Sequence, residues 1–335
     1  MLLDGFGRRA RDLRLSLTDR CNLRCSYCMP AEGLQWLPSA DQLSVEEFAL
    51  VSRVCVASGI ERIRLTGGEP LIHPELERLI TLLSALDPRP EIAMTTNGIG
   101  LAARAASLRT AGLDRINISL DTLDAERFVA ITRRDRHADV LEGIAAALDS
   151  GFSTVKVNAV LLRGINDDEA IALLQWALDR GIELRFIEQM PLDAQHGWDR
   201  SHMVTAKETR SLLEQEFDLV PIGDRGSAPA EQFEVRELTG VRQGRVGIIA
   251  SVTEPFCAAC DRLRITSDGQ IRNCLFAHTE TDLRSIVRDP ALEPTSRDEA
   301  LARALGFSWQ EKKRGHGIGD PDFIQPTRPM SAIGG

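Results

Sequence analysis

The feature that most constrains the fold is a repeat of short apolar segments, alternating with a period of two, each followed by a longer amphipathic segment. The strand-like segments before residue 193 are DLRLSL, RIRLTG, EIAMTT, RINISL, TVKVNAVLL and ELRFIEQM. Successive βα units place parallel strands side by side with helices outside them. Residues 1–192 are therefore predicted to form a partial (β/α)6-type barrel in an α/β protein.

The segments between and after these strands carry boundary signals. Ser44 and Glu47 have the spacing of a capping box, and DDEAIALLQWALDRG ends in a glycine suited to a helix C-terminus. After Met190 the repeat gives way to a long polar excursion, a helix and short strands such as GRVGIIAS. Residues 193–335 are therefore predicted to be a C-terminal α+β extension that ends in an irregular Gly- and Pro-rich tail.

Composition and charge exclude several classes of protein. No apolar run approaches the roughly 20 residues that a membrane helix needs, and the N-terminus lacks the apolar core of a secretory signal. A net charge of −9 disfavours a general nucleic-acid binder. We predict a cytoplasmic protein with neither a membrane nor a nucleic-acid partner, in which any anionic ligand must find its cations locally.

A first cysteine group, Cys21, Cys25 and Cys28, follows the first predicted strand with C-x3-C-x2-C spacing. A zinc site completed by a distant ligand is one interpretation, but structural zinc usually uses paired C-x2-C knuckles. The observed spacing instead folds one short loop around three corners of a [4Fe–4S] cluster. Three thiolates leave the fourth iron open to a small molecule.

A second group, Cys257, Cys260 and Cys274, is followed by His278 at C-x3-H spacing. Alone, this pattern is typical of a Cys3His zinc site. In a chain that already has one cluster motif, we favour a second [4Fe–4S] cluster, again with one open iron. Cys55 stands alone in an apolar helical segment and is predicted to be a buried structural thiol.

The first cysteine motif, with Tyr27 before its last cysteine and LTGGEP after the second strand, resembles the radical S-adenosylmethionine (SAM) superfamily. The resemblance implies that SAM chelates the open iron and that Gly67 and Gly68 allow the backbone to approach its amino group. The implied SAM contacts are Tyr27, Gly68, Ser119 and Met190.

Further motifs resemble the GTP 3′,8-cyclases, the molybdenum-cofactor biosynthesis protein A family. They are DGFGRRARDLRLSLTDRCNLRC, TTNG, NISLD, VKVNAVLL, RFIEQMPL, FCAACDRLRITSDGQIRNCLF and MSAIGG. The resemblance implies conversion of GTP to (8S)-3′,8-cyclo-7,8-dihydroguanosine 5′-triphosphate, the first step of molybdenum cofactor biosynthesis. It also implies that SAM cleavage supplies a radical that removes the 3′ hydrogen of GTP, before C3′ bonds to C8 of guanine.

The same resemblance implies residue roles. The second cluster would bind guanine, and the implied nucleotide contacts are Arg14, Arg64, Thr95, Lys156, Arg262, Leu263 and Arg264. Arg14 and Arg185 join the first three cysteines in the implied catalytic set. The terminal Gly334 and Gly335 belong to that set too, and the tail is predicted to insert toward the barrel near Arg14.

The implied partners are GTP, an electron donor and the downstream cyclic pyranopterin monophosphate synthase, for a monomer or a homodimer. A radical SAM peptide-modifying enzyme with one auxiliary cluster is the alternative enzyme, although such proteins usually carry more auxiliary cysteines. A non-enzymatic iron–sulfur or zinc regulatory module is the other alternative. It would not need basic residues that converge on the mouth of the barrel.

Overall fold

The computed structural model describes residues 1–334, whose strands form a 12-stranded mixed sheet. The first six strands are β1 (Asp12–Ser16), β2 (Arg62–Thr66), β3 (Glu91–Thr96), β4 (Arg115–Ser119), β5 (Thr154–Val160) and β6 (Glu183–Ile187). The later strands are β7 (Phe217–Pro221), β8 (Glu231–Glu237), β9 (Gln243–Ile249), β10 (Arg262–Ile265), β11 (Gln270–Arg272) and β12 (Thr281–Asp282).

The connections contain ten α-helices within the described residues. They are α1 (Val45–Ala57), α2 (Leu76–Ser84), α3 (Leu101–Ala111), α4 (Ala125–Thr132), α5 (His137–Asp149), α6 (Ala170–Leu178), α7 (Ala206–Leu213), α8 (Arg284–Val287), α9 (Pro294–Gln310) and α10 (Met330–Ile333). The predicted capping box is present at α1, where Ser44 N donates to Glu47 Oε2 and Glu47 N donates to Ser44 Oγ, at 2.7 and 3.2 Å.

The sheet order is β12-β11-β10-β1-β2-β3-β4-β5-β6-β9-β8-β7. The six predicted barrel strands lie in chain order and are parallel, which confirms the α/β barrel. The C-terminal extension contributes to both ends of this run, because β10 pairs in parallel with β1 and β9 in parallel with β6. The remaining strands pair antiparallel outside them.

Period-two alternation along the strands separates an apolar outer face from a charged lumen. Leu13, Ile63 and Leu263 are fully buried in the core that packs under the helices. The residues next to them in the chain, including Arg14 and Arg64, line the lumen. The Arg-x-Arg patterns of these strands therefore follow from alternation rather than from an exposed basic surface.

A second, smaller apolar cluster joins the tail to the extension. It contains Leu192, Met203, Val252, Phe276, Ile318 and Ile333. Within residues 1–334, no helix combines the length and apolarity that crossing a membrane requires.

Candidate active site

The first cysteine group lies on the loop that follows β1. Cys21, Cys25 and Cys28 are all free and partly exposed, and the amides of Cys28 and Met29 both donate to the Cys25 carbonyl oxygen, at 2.9 and 3.0 Å. Leu23 N donates to Cys21 Sγ at 3.4 Å, and Asn97 Nδ2 lies 3.9 Å from the same sulfur. The three sulfurs thus project from one tight loop with N–H donors, as thiolate ligands of iron–sulfur clusters do.

The two glycines after β2 pack directly against this loop. Gly68 N donates to Thr18 O at 2.7 Å and Glu69 N donates to Arg20 O at 2.8 Å. A Cβ at Gly68 would lie 2.0 Å from Arg20 O, and one at Gly67 would lie 2.5 Å from Thr18 O. Contact between the two backbones therefore requires glycine at both positions. This reason for glycine differs from the approach to SAM that the resemblance implied.

Glu69 links the segments after β2 and β3 next to the cysteine loop. Its buried carboxylate accepts hydrogen bonds from Thr96 Oγ1 at 2.6 Å, Asn97 N at 2.7 Å and Leu71 N at 2.9 Å. Burial raises the pKa of Glu69 to about 7, against the effect of these donors. The GGEP and TTNG segments are thereby held together at the ends of β2 and β3.

Tyr27 connects the cysteine loop to the end of β4. Its hydroxyl donates to Asp121 Oδ2 at 2.7 Å, and Asp121 Oδ1 accepts from Val160 N at 2.9 Å. Burial raises the pKa of Asp121 to about 6. The structure therefore brings Tyr27 to the strand that ends at Ser119, whereas Met190 lines the lumen on the side of the later cysteines.

A cavity of about 430 Å³ occupies the lumen. The predicted nucleotide contacts that line it are Arg14, Arg64, Thr95, Arg262 and Arg264, with Arg185 beside them. All three cysteines of the second group line the same cavity. The Leu263 side chain does not, because alternation directs it into the core, where it is fully buried.

The lumen cations differ in whether a carboxylate faces them. Arg62 lies 2.7 Å from Asp261, and Arg115 lies 2.9 Å from Glu91. Within residues 1–334, Arg64 and Arg264 form no ion pair. Burial lowers the pKa of Arg64 to about 9 and that of Arg264 well below its usual value. Desolvated cations of this kind favour binding of an anion.

Lys156 is buried behind Arg185 and bound to a carboxylate. Its Nζ lies 2.5 Å from both carboxylate oxygens of Glu183, which also accepts from Arg185 Nε at 2.8 Å and from Gln232 Nε2 at 3.1 Å. Burial and the neighbouring Arg185 lower the pKa of Lys156 to about 8, although Glu183 opposes this shift. Lys156 is therefore a partner of Glu183 in this structure and does not line the cavity.

The second cysteine group lies beside the lumen cations. Arg262 Nη1 lies 3.9 Å from Cys260 Sγ. Burial raises the pKa of this thiol, but the positive charges of Lys312 and Arg262 lower it by more, so the net shift is downward. His278 is exposed and does not line the cavity. In the described part of the chain, no three His, Cys, Asp or Glu side chains converge on a position for a single metal ion.

The loop between β7 and β8 covers this end of the cavity. Arg225 donates to the carbonyl oxygens of Ala228 and Pro229 within the loop and, at 3.1 Å, to that of Glu254. The Phe256 ring contacts two guanidinium groups, with Arg225 at 4.8 Å and Arg262 at 4.7 Å from its centroid. Arg262 Nη2 also donates to Ser227 O at 2.7 Å, so the loop and this cation hold each other in place.

Most of the tail lacks helix and strand, as its composition predicts, and only Met330–Ile333 is helical, but the end of the tail enters the barrel. Met330 N donates to Leu192 O at 3.2 Å, Ile333 is buried in the second apolar cluster, and the Gly334 carbonyl accepts from Arg264 Nη1. A Cβ at Gly334 would lie 2.6 Å from Ser16 Oγ and 2.7 Å from Thr66 Cγ2. Gly334 thus occupies the space between the ends of β1 and β2, while Gly335 lies outside the described residues.

The cysteine groups fit iron–sulfur clusters in donor chemistry. Burial raises the pKa of Cys21 to about 11 and that of Cys28 to about 12, so these thiols ionise only beside strong positive charge such as iron. In the second group, Arg262 and Lys312 supply positive charge around the sulfurs.

Sequence reasoning missed several charged residues of the site, among them Arg62, Glu91, Arg115 and Glu183. The signal for Arg62 and Arg115 was present, because they precede Arg64 and Asn117 by two positions on β2 and β4. The Glu183 contact depends on the register that places Lys156 opposite Glu183, which no local pattern shows.

Comparison with known proteins first gives the class. A model described as the radical SAM superfamily matches residues 15–177, and one described as molybdenum cofactor synthesis C matches residues 182–318. Streptococcus suis SuiB bound to S-adenosylmethionine has a similar fold, with a TM-score of 0.61 at 15% identity over 84% of this chain and 66% of that chain. The fold and the cysteine loop define a radical SAM enzyme, a class that uses a [4Fe–4S] cluster and SAM.

Closer relatives define the family. The GTP 3′,8-cyclase of Streptomyces coelicolor is 56% identical over 100% of this chain and 96% of the relative. That of Corynebacterium glutamicum is 53% identical, over 100% of this chain and 89% of the relative. The chain belongs to the GTP 3′,8-cyclase family.

Proposed function

We propose that this chain converts GTP to (8S)-3′,8-cyclo-7,8-dihydroguanosine 5′-triphosphate, the first step of molybdenum cofactor biosynthesis. The observation that carries the proposal is one cavity lined both by two arginines without carboxylate partners, the half-buried Arg64 and the buried Arg264, and by Cys257, Cys260 and Cys274. A polyanionic nucleotide supplies the negative charge that these cations lack.

At the first centre, Cys21, Cys25 and Cys28 would hold a [4Fe–4S] cluster to which SAM would bind. When bound, the cluster and SAM supply one-electron chemistry that protein side chains lack. The chain's own contribution is orientation. Glu69 and Asp121 tie the cysteine loop to the ends of three strands, with Tyr27, Gly68 and Ser119 near the proposed SAM site and Met190 on the lumen side.

At the second centre, Cys257, Cys260 and Cys274 would hold a second [4Fe–4S] cluster at the purine end of the nucleotide. Arg14, Arg64, Arg262 and Arg264, with Thr95, bind the triphosphate, and Arg185 adds charge backed by Lys156 and Glu183. Cyclisation joins ribose to base, so fixing the nucleotide at both ends holds C3′ and C8 in one geometry. Gly334 places the tail against Arg264, and Gly335 belongs to the same proposed catalytic set.

The proposal includes the organisation and surroundings of the protein. Residues 1–192 act as the SAM-binding barrel, and residues 193–335 carry the auxiliary cluster and most of the purine-side wall. We place the enzyme in the cytoplasm as a monomer or homodimer without nucleic-acid partners. An electron donor acts upstream, and cyclic pyranopterin monophosphate synthase consumes the product.

Anaerobic reconstitution followed by addition of SAM, dithionite and GTP tests the proposal. We expect about eight irons per chain from two clusters, and equal amounts of 5′-deoxyadenosine and cyclised nucleotide. Cys25→Ser removes SAM cleavage, whereas Cys274→Ser impairs nucleotide binding and leaves some uncoupled SAM cleavage. Cys55→Ala, which changes a buried cysteine outside both groups, is the control. Stoichiometric zinc at the second site, or no cyclised nucleotide from the wild-type chain, contradicts the proposal.

A further inference from the structure

Lys312 is a buried cation beside the second cysteine group to which the proposed reaction assigns no role. It lies just beyond the end of α9, is 3% exposed, and lines the lumen cavity with all three cysteines of that group. Within residues 1–334 its ammonium group forms no ion pair with a carboxylate, whereas Lys156 pairs with Glu183. A buried ammonium group is costly unless negative charge lies nearby, so we expect an anion beside Lys312.

The Lys312 ammonium group joins the two chain segments that carry these cysteines. Its Nζ donates to Arg262 O at 3.1 Å and to the carbonyl oxygen of Asn273. Arg262 stands two residues after Cys260, and Asn273 directly precedes Cys274. One side chain therefore holds the segment of the C-x2-C pair against the segment of the third cysteine.

Lys312 is itself held in place by α9 and the N-terminal segment. Its Nζ lies 4.5 Å from the ring centroid of the fully buried Trp309, whose Nε1 donates to Arg8 O at 3.0 Å. Arg8 Nη2 donates to Lys312 O at 3.3 Å, and Arg8 Nη1 donates to Cys257 O at 2.8 Å. The carbonyl oxygens and the aromatic face offset part of the desolvation of the ammonium group, but they leave its charge unneutralised.

The charge of Lys312 acts on all three sulfurs of the group. Burial raises the pKa of Cys257 and acts in the same direction on Cys260, and Lys312 opposes burial at both thiols. In return, burial lowers the pKa of Lys312, and Cys260 and Cys274 oppose that shift. The ammonium group and the thiolates therefore stabilise each other's charged forms.

We propose that Lys312 is a positioning residue for the second cluster, which holds the two cysteine segments together and balances the negative charge of the thiolate-bound iron–sulfur centre. Net charge is one of the properties that set the reduction potential of such a centre. Because reduction adds negative charge, a fixed buried cation nearby raises the potential. This inference rests on the proposed function, because that function places an iron–sulfur cluster rather than zinc at these cysteines.

Three substitutions separate the charge of Lys312 from its hydrogen bonds. Lys312→Met removes both, Lys312→Gln keeps an amide donor without the charge, and Lys312→Arg keeps the charge. Lys313→Met is the matched control, because it makes the same change at the adjacent, exposed position. All four are made in a full-length chain in which Cys21, Cys25 and Cys28 are replaced by serine, so that only the second cluster contributes iron and a redox signal.

A redox titration followed by electron paramagnetic resonance then gives the potential of the second cluster. In Lys312→Met and Lys312→Gln, we expect the ratio of reduced to oxidised cluster at a fixed potential to fall at least tenfold, about 59 mV for one electron. Lys312→Arg and Lys313→Met should stay within threefold of the parent chain. Lys312→Met should also lose iron to a chelator at least fivefold faster, because the bonds between the cysteine segments are gone. The parent potential in both neutral variants overturns the inference.

Calorimetry with GTP on the holoenzyme separates this role from nucleotide binding. Lys312→Gln is expected to bind GTP within threefold of the wild-type chain, and a tenfold loss of GTP affinity at an unchanged potential would overturn the inference by making Lys312 a phosphate contact. If Lys312→Met holds no cluster, Lys312→Gln decides the case, and loss of the cluster in both neutral variants but not in Lys312→Arg supports the inference. Absence of cyclised nucleotide from the wild-type chain contradicts the proposed function, whereas the titration still decides the role of Lys312.

Discussion

Single residues set the geometry of this site through close contacts that allow little substitution. Gly67 and Gly68 let the second strand's loop touch the cysteine loop, and Gly334 lets the tail enter between β1 and β2. Lys156 shows the electrostatic counterpart, because its charge depends on Glu183 and Arg185 together. The resemblance implied that Lys156 contacts the nucleotide, whereas in the structure it binds Glu183, a partner that depends on strand register and was not predictable.

Gly334→Ala tests the close contact of the tail. Its φ of +71° disfavours a side chain, and the added Cβ would lie 2.6 Å from Ser16 Oγ. We expect GTP cyclisation to fall at least tenfold, with iron content and SAM binding unchanged. Gly319→Ala is the matched control, because nothing lies within 4 Å of a Cβ there. Equal activity in the two variants would show that the contact is not needed.

The pH dependence of GTP affinity tests Lys156. Its pKa of about 8 lies below the ordinary lysine value, so the side chain is protonated at pH 7 and becomes neutral as pH rises through 8. We expect KM for GTP to increase between pH 7 and 8.5 as positive charge behind Arg185 is lost. Lys156→Arg stays charged and is expected to flatten this rise. The same rise in both proteins would assign the titration to another group.

At the scale of elements, the six barrel strands were predictable because each is short, alternates with a period of two and is followed by a helical segment. The strands of the extension were less so. β9 and β10 join the sheet by pairing with β6 and β1, and such long-range pairing leaves no local signal. The tail was predicted to insert, yet its composition also predicted irregular structure, and contacts with Leu192 and Arg264 decide the outcome.

Deletion of Gly334 and Gly335 tests the tail as an element. Arg328 stays bound to Asp268 and Glu280, each at 2.8 Å, so the rest of the tail is expected to remain docked. We expect cluster content and GTP affinity to change less than twofold while cyclisation falls sharply. A peptide with the tail's sequence at millimolar concentration should restore part of the activity. Full activity after truncation would remove the tail from the mechanism.

Substitution of Arg225 tests whether the loop between β7 and β8 helps to bind GTP. Arg225 donates hydrogen bonds to three backbone carbonyl oxygens, and its guanidinium contacts the Phe256 ring. Arg225→Ala removes these bonds and frees the loop that holds Arg262. Loss of hydrogen bonds of this kind costs about 1 to 3 kcal/mol, so KM for GTP should rise roughly 5- to 100-fold with a smaller change in kcat. Arg236→Ala on β8 is the control, and an equal effect of both variants would contradict this assignment.

At the scale of the whole molecule, charge is distributed unevenly. The chain is acidic, with a net charge of −9, yet its lumen gathers arginines beside the second cysteine group. The sequence showed both cysteine groups and most of the lumen arginines. The fold adds that the tail and the β7–β8 loop border the lumen.

The most direct test of the proposed reaction follows one hydrogen atom. GTP deuterated at C3′ is incubated with the reconstituted enzyme, SAM and dithionite, and the 5′-deoxyadenosine and nucleotide products are analysed by mass spectrometry. If the lumen holds ribose and base together for cyclisation, each cyclised nucleotide should form with the transfer of one deuterium into 5′-deoxyadenosine. Formation of unlabelled 5′-deoxyadenosine, with deuterium retained in unchanged GTP, would contradict the account.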